Sequence, residues 1–289
     1  MDEMRHSPQA FPNISARWLL SAAAITLLAI ALCAWLTLCL LYWQGSWQLL
    51  YHPKAAIIGT PATDGLAYEP IRFAVTETGT PQLSGWWLPN ADARFTVLYL
   101  HGADGNLSDT VDALAALHRT GLAVFAFDYR GYGQSQPARP TEKQLLQDAE
   151  WALSWLTSTR QIPSRNIVLY GSGLGANLAA ELAANHSEIA GVLLDQPREN
   201  AMASVFNDPR SRLVPAHILV HDRYDLSAAA GSLRIPSLWL FAKSTVTPST
   251  QVPAAYLAAA GKKATVWLNP PVEADQNFAD SLRRWMDDL

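Results

Sequence analysis

Cysteine is scarce in this chain, and histidine is missing from its C-terminal part. The two cysteines, Cys33 and Cys39, both lie in an apolar stretch near the N-terminus. The rest of the chain therefore contains no disulfide and no thiol nucleophile. The last of the seven histidines is His221. This position excludes any reaction that needs an imidazole base from the segment after His221.

Charged residues are also few, since Asp, Glu, Lys and Arg make up 16% of the chain and leave a net charge of −4. Proteins that bind nucleic acid usually carry a basic surplus, so we predict no nucleic-acid partner. No repeated, glycine-rich or serine-rich block divides the 289 residues. This length accommodates one sizeable α/β domain plus an appendage.

Residues 18–43 contain no charged side chain. About 20 apolar residues cross the hydrocarbon core of a bilayer, so this run can span it with some tilt. Trp18 lies at one end and Trp43 and Trp47 at the other, as in an aromatic belt. The run is longer than the apolar part of a signal peptide, which has about 7–15 residues before a small-residue cleavage site. These features predict one uncleaved transmembrane helix that binds the protein to the lipid bilayer.

The charges beside this helix favour one orientation. Arg5 and Arg17 precede it, whereas Lys54 is the first basic residue after it apart from His52. This asymmetry places the N-terminus in the cytoplasm and the large domain on the other side. We expect the inner (plasma) membrane of a bacterium, with the globular domain outside the cytoplasm. The predicted segments are a tail, the helix, a linker and one globular domain, at 1–17, 18–43, 44–68 and 69–289.

In the globular part, short apolar runs typical of buried strands alternate with segments of helical spacing. This alternation predicts a mostly parallel sheet with helices on both faces. The predicted strands are 71–77, 83–88, 95–100, 123–127, 166–170, 191–194, 237–241 and 264–268. The predicted helices are 108–118, 141–156, 174–185, 253–260 and 275–288. Residues 196–236 are irregular and too long for a plain loop, so we predict a small lid-like insertion.

Residues 167–180 have the sequence IVLYGSGLGANLAA. An apolar strand, a glycine-rich break and an alanine-rich helix are the setting of a nucleophile elbow, in which small residues flank the nucleophile at two positions before and after it. Gly171 and Gly175 satisfy this spacing in one register. That register places Gly173, which has no side chain, at the nucleophile position. Ser172 stands one residue too early.

Several motifs together resemble the α/β-hydrolase superfamily, in its membrane-anchored, serine-aminopeptidase-like branch. The resemblance covers residues 48–289, and its motifs occur in family order: LHGADGN at 100–106, FDYRGYGQS at 127–135, DAE at 148–150, YGSGLGA at 170–176 and DRYD at 222–225. It implies a mostly parallel eight-stranded sheet, helices on both faces and a small lid. It also implies an oxyanion hole made by the backbone N–H groups of Ala103 and Leu174.

Acyl transfer on this fold needs a nucleophile, an acid and a histidine, in that chain order. By resemblance the acid position follows the strand 237–241, where Ser244 or Thr245 stands. The histidine position lies in the loop 269–275, which contains no histidine. Three required side chains are therefore missing together, which predicts a degenerate catalytic triad.

Three residues remain as weak candidates for chemistry. Ser172 is either a nucleophile or a turn residue, and in the elbow register its side chain projects from the strand side of the turn. His101 is either a base from the other side of the site or a structural residue of the oxyanion loop. Asp195 is either a displaced acid or a residue that caps a strand end. In each case the structural interpretation is the simpler one.

His217 and His221 are four residues apart and would share a face of a helix, as metal ligands do. Nothing in the sequence supplies the rest of such a site, so we predict no metal and no cofactor. The leading hypothesis is a catalytically inactive binding or scaffold module that takes an unknown lipid, peptide or protein ligand. The alternative is an active serine hydrolase, of esterase or peptidase type, that uses Ser172 or an unconventional site.

Overall fold

The structure is a computed structural model that describes residues 15–243 and 252–289. It begins with a helix, α1 (Ala16–Gly45), whose first turn is capped by the Ser15 side chain at 3.3 Å from the Trp18 N–H. This helix is long and apolar enough to cross a membrane, and little of it is buried inside the protein. The span predicted for residues 18–43 lies within it.

The described residues contain ten strands, of which eight form one sheet. In chain order the strands are β1 (His52–Pro53), β2 (Glu69–Val75), β3 (Pro81–Leu88), β4 (Thr96–Leu100), β5 (Asp104–Gly105), β6 (Ala123–Asp128), β7 (Ile167–Ser172), β8 (Gly191–Asp195), β9 (Ser237–Ala242) and β10 (Lys263–Leu268). The large sheet has the order β10-β9-β8-β7-β4-β6-β3-β2. Only the pairs β2–β3 and β3–β6 within it are antiparallel, and the short strands β1 and β5 pair separately. The predicted fold class is confirmed.

Eight helices follow α1 in the described part of the chain: α2 (Val111–Arg119), α3 (Glu142–Ser154), α4 (Leu174–Asn185), α5 (Ala203–Phe206), α6 (Ala216–Leu219), α7 (Leu226–Ser232), α8 (Ala254–Ala258) and α9 (Phe278–Asp287). The Thr141 side chain caps α3 by accepting from the Gln144 N–H at 3.3 Å, as its sequence predicts. The helix predicted from residue 275 begins later, because the Asp275 carboxylate accepts from the Asn277 N–H at 2.8 Å in a separate turn.

The sheet separates two hydrophobic cores. Along the fully buried strand β4, Leu98 and Leu100 face the core under α3 and α4, whereas Val97 and Tyr99 face the core under α2 and α9. Burial on both faces explains why this strand is a continuous apolar run in the sequence. The carboxyl ends of β4, β7 and β8 meet at one edge, and this is where the site lies.

The predicted insertion at 196–236 divides into two parts. α7 packs against α4 and α8, so the end of this segment belongs to the helical layer of the fold. The preceding residues 196–225, called the lid below, contain α5, a turn at Pro209–Arg212 and α6. The lid packs against α1, and the Tyr42 hydroxyl donates to the Val205 carbonyl at 2.9 Å. The predicted linker at 44–68 also packs inward, with Leu50 and Tyr51 buried.

Candidate active site

The elbow occupies a single residue between strand and helix. β7 ends at Ser172 and α4 begins at Leu174, so Gly173 forms the turn. Its backbone angles, φ 57° and ψ −117°, lie in a region that residues with a side chain rarely adopt. A strained turn of this kind presents the nucleophile in α/β-hydrolases. The backbone therefore has the conformation of a nucleophile position, and the residue there is glycine.

Two further glycines allow the close approach of strand and helix. A Cβ atom at Gly171 would overlap the carbonyl of Gly175, and one at Gly175 would overlap the carbonyl of Leu100. Both positions therefore exclude a side chain on steric grounds. The contact to Leu100 also packs α4 against the end of β4, where the oxyanion loop begins. This close contact is the physical reason for the spacing of Gly171 and Gly175 that identifies the elbow in the sequence.

Ser172 bonds to a carboxylate. Its hydroxyl donates to Oδ2 of Asp195 at 3.0 Å, across the paired ends of β7 and β8. Within the described residues, no imidazole lies within hydrogen-bonding distance of this hydroxyl. The structure thus brings together Ser172 and Asp195, two of the three weak candidates.

Asp195 is almost fully buried, and its second oxygen has no hydrogen-bond partner in the described part of the chain. Burial raises the pKa of this carboxyl to about 7, the charge of Glu273 raises it as well, and the bond from Ser172 lowers it. A carboxyl with this pKa is partly protonated at neutral pH. Glu273, which the sequence analysis did not single out, borders the same cavity as Ser172.

His101 is apart from this pair. Its Nδ1 lies 2.8 Å from the Gly102 carbonyl, and its Nε2 lies 3.7 Å from Oδ1 of Asp128. The ring is 1% exposed and packs against Tyr129 with a centroid distance of 4.5 Å. Burial lowers the pKa of this imidazole to about 4. These contacts are those of a buried structural residue that holds the oxyanion loop.

Two tyrosines of the motif at 127–135 form hydrogen bonds to the backbone of the oxyanion loop. The Tyr132 hydroxyl donates to the Ala103 carbonyl at 2.9 Å, and the Tyr129 hydroxyl donates to the His101 carbonyl at 3.2 Å. These bonds fix the peptides on either side of the one that carries the Ala103 N–H, and the carbonyl of that peptide, Gly102, lies 2.8 Å from Nδ1 of His101. No hydrogen bond from the N–H groups of Ala103 or Leu174 to a protein acceptor occurs in the described residues. Of these two residues, Ala103 lines the crevice beside the elbow.

A crevice of about 460 Å³ lies beside the elbow. Its lining residues are Gly102, Ala103, Asp104, Ser172, Gly173, Gln196 and Arg198. A Cβ atom at Gly173 would meet Nε of Arg198 at 3.9 Å, so the guanidinium faces the apex of the elbow. The Asn177 side chain holds the backbone of Arg198 with bonds of 3.0 and 2.8 Å.

Sequence reasoning missed both Asn177, in the elbow stretch 167–180, and Arg198, in the predicted insertion 196–236. The only signal that could have indicated Arg198 is its place just after β8, at the carboxyl edge of the sheet where ligands of α/β proteins bind. Its cation adds to the positive end of the α4 dipole. The crevice therefore favours an anionic or oxygen-bearing group.

The remaining predicted positions lie elsewhere. Ser244 and Thr245, at the expected acid position, fall outside the described residues. The loop at the expected histidine position is held by Asp275, whose carboxylate accepts from the Asn269 N–H at 2.7 Å. His217 stacks on Phe206 with a centroid distance of 4.2 Å. No group of three or more metal-ligating side chains occurs at residues 15–243 and 252–289.

The sheet order, the elbow and the oxyanion loop define a protein of the α/β-hydrolase fold. Residues 91–219 match the family model described as Serine aminopeptidase, S33. An esterase from Pyrococcus furiosus has 20% identity and a TM-score of 0.61, over 82% of this chain and 98% of its own. An α/β hydrolase from Vibrio vulnificus has 21% identity and a TM-score of 0.61, over 83% and 88%. The chain is thus an α/β-hydrolase-fold protein with a serine-aminopeptidase-like central segment, as its motifs predicted.

Two relatives extend the comparison. The uncharacterized protein Rv2307c of Mycobacterium tuberculosis is 29% identical, over 84% of this chain and 88% of its own length. The uncharacterized membrane protein YNL320W of Saccharomyces cerevisiae is 32% identical, over 48% of each chain.

We predict that Gly171→Ala destabilises the protein by several kcal/mol, on the order of an overpacked core site, because the new methyl group overlaps the Gly175 carbonyl. Gly231→Ala in α7 is the matched control, since no atom lies within 4 Å of its added Cβ. Thermal unfolding of the full chain in detergent compares the two. Equal stability of both variants would contradict the close approach.

The raised pKa of Asp195 predicts a pH-dependent effect of Asp195→Asn. In the unfolded chain this carboxyl has a pKa of about 4, so ionisation opposes folding. The wild type should lose stability relative to the variant as the pH rises from about 4 through about 7. Unfolding midpoints between about pH 2 and 8 measure the difference and also cover the control below.

Asp275→Asn is the control of opposite sign. Bonds from the Asn269 and Asn277 N–H groups lower the pKa of Asp275. Its stabilising effect should therefore be present above the unfolded pKa and disappear as the pH falls through the lower folded value. A pH-independent difference between wild type and Asp195→Asn would show that Asp195 is not a buried, protonatable carboxyl.

Proposed function

We propose that this protein is a single-pass, membrane-anchored α/β-hydrolase-fold protein that lacks serine-dependent acyl transfer and acts as a binding or scaffold module. The observation that carries this proposal is the backbone of Gly173. It has φ 57° and ψ −117°, the strained conformation of a nucleophile, yet it carries no side chain. The turn has the backbone conformation of a nucleophile elbow but lacks the attacking side chain.

The surroundings of the elbow support the same conclusion. Serine attack needs a base that accepts the hydroxyl proton and an acid that orients this base. Ser172 instead donates to the carboxylate of Asp195, and the ring of His101 packs against Tyr129. The loop 269–275 contributes no histidine. The chemical groups of a triad are therefore not assembled at the elbow.

The N-terminal helix supports the membrane part of the proposal. α1 is apolar over its length and is exposed rather than packed inside the domain. The name of the yeast relative describes a membrane protein. Arg17 in the first turn of α1 and Lys54 after the helix are the basis for placing the N-terminus in the cytoplasm. We place the globular domain on the outer face of a bacterial plasma membrane.

The crevice at the elbow is where we place the ligand. Arg198 faces the apex. By resemblance to this fold, the N–H groups of Ala103 and Leu174 are the donors of an oxyanion hole. A carboxylate satisfies all three groups at once. Among lipid, peptide and protein ligands, this arrangement favours one that presents a carboxylate, such as a peptide end.

One observation favours a second function. The Ser172 hydroxyl and the Asp195 carboxyl form a 3.0 Å pair, and the pKa of Asp195 is raised to about 7 by burial. A carboxylate with this pKa is a stronger base than an ordinary one. The alternative is therefore a serine hydrolase, of esterase or peptidase type, that uses this pair.

A fluorophosphonate probe separates these two functions. We expect no labelling of the full chain in detergent, since neither Ser172 nor any other serine occupies the apex of the elbow. Ser172→Ala is the control variant. Labelling of the wild type that disappears in Ser172→Ala would refute the inactive module and establish the alternative.

Restoring the nucleophile alone should not restore activity. At Gly173→Ser the added Cβ has room, since Nε of Arg198 is the nearest atom outside the neighbouring residues at 3.9 Å, and the positive φ imposes the strain that a nucleophile of this fold bears. We expect no robust hydrolysis of nitrophenyl esters, because the variant still lacks an imidazole base. Robust hydrolysis would contradict our interpretation of the C-terminal half of the chain.

Binding is tested with an N-acetylated dipeptide that has a free carboxylate and with its C-terminal amide. We expect the carboxylate form to raise the unfolding temperature of the full chain, and the amide form to raise it much less. Arg198→Ala should abolish the difference. An equal effect of both peptides, or none, would refute a carboxylate site at the elbow.

A further inference from the structure

The lid contacts α1 well before the helix ends. Nε1 of Trp35 donates to the Leu213 carbonyl at 3.0 Å. At a rise of about 1.5 Å per residue, Trp35 lies about 15 Å back along the helix from Gly45. The bond from Tyr42 to Val205 is a second attachment, closer to the end of the helix. The lid therefore runs beside the apolar helix rather than only beneath it.

The length of α1 sets how deep the Trp35–Leu213 contact lies in a bilayer that the helix crosses. A hydrocarbon core about 30 Å thick takes about 20 helical residues. When the core starts at Trp18, it ends near Leu38, so Trp35 still lies within its boundary. The segment that bonds to Trp35 then reaches the level where acyl chains meet headgroups.

The side chains around Leu213 have the composition expected at the boundary between acyl chains and headgroups. Leu213 is 61% exposed and Ile218 is 73% exposed, although both are large and apolar. Each occurs beside the helix contacts, Leu213 at the Trp35 bond and Ile218 in α6, which packs against α1. Exposed Arg210 and Arg212 directly precede Leu213 in the chain. Apolar tips beside basic side chains are the composition of surfaces that lie in a bilayer interface.

The same arginines limit the depth of insertion. A charged group at the centre of a bilayer costs several kcal/mol, on the order of 2.5–3.5 even by the lower scale. Arg212 precedes Leu213 directly, and the guanidinium of Arg210 pairs with Asp208 at 2.8 Å. A long arginine side chain can keep its charge among the headgroups while its neighbour contacts acyl chains. The segment can therefore enter the interface but not the core.

We propose that residues 209–219, called the lid segment, insert shallowly into the bilayer that α1 crosses, with Leu213 and Ile218 as their apolar contacts. The occupant of this exposed surface is the lipid bilayer, because the Trp35–Leu213 bond holds the surface beside the apolar helix α1. The inference rests on the membrane anchoring proposed above. It fixes the globular domain against the membrane on its lid side.

Depth-dependent quenching tests the insertion in the full chain. In a Cys33→Ala, Cys39→Ala background, a single cysteine replaces Leu213, Ile218, Leu27 or Leu257 and carries the fluorophore NBD. The proteins are reconstituted in phosphatidylcholine–phosphatidylglycerol vesicles, with or without doxyl-labelled lipid. Leu27 reports on α1, and Leu257 is a matched control, since it is 65% exposed and lies in α8.

We expect blue-shifted NBD emission and loss of emission with doxyl lipid at 213 and 218, as at 27, but not at 257. If 27 is quenched and both lid positions behave like 257, the helix is anchored and the lid insertion is wrong. A blue shift at 213 and 218 without quenching by doxyl lipid means that another protein, or a second copy, covers the patch, which also overturns the proposal. If 27 is not quenched, both the membrane anchoring and the lid insertion are refuted.

Discussion

The contact between strand β7 and helix α4 is the constraint on which the rest of the site depends. At Gly171 and Gly175 the two backbones lie so close that no Cβ atom fits between them. This approach forces Gly173 into its strained turn and packs α4 against the end of β4. The oxyanion loop, which follows β4, is therefore positioned by the same contact.

Around this turn the protein has the backbone framework of the α/β-hydrolase fold, with glycine at the apex of the elbow. Tyr129 and Tyr132 fix the backbone around Ala103, which lines the crevice. A side chain held at such backbone angles costs about 1–3 kcal/mol, and glycine at 173 removes this cost. Arg198 places a cation near the apex, and this cation is the basis for the anion binding that we propose.

The helix α1 and the lid give this framework its orientation. Bonds from Trp35 and Tyr42 reach residues more than a hundred positions later in the chain and attach the lid to the helix. The linker between helix and domain is also packed, through Leu50 and Tyr51. An anchor held at several points cannot act as a loose tether. It orients the crevice of the domain relative to the helix axis.

The sequence by itself determined the fold class, the elbow, the glycine at its apex and the long apolar helix. Each of these depends on residues close together in the chain, and periodicity and spacing report such features directly. Only the tertiary structure decided that Ser172 bonds to Asp195, that Arg198 faces Gly173 and that Glu273 borders the site. It also decided that the lid lies along α1. These contacts join residues far apart in the chain, and their geometry is set by the packing of the sheet and its helices, which no local pattern encodes.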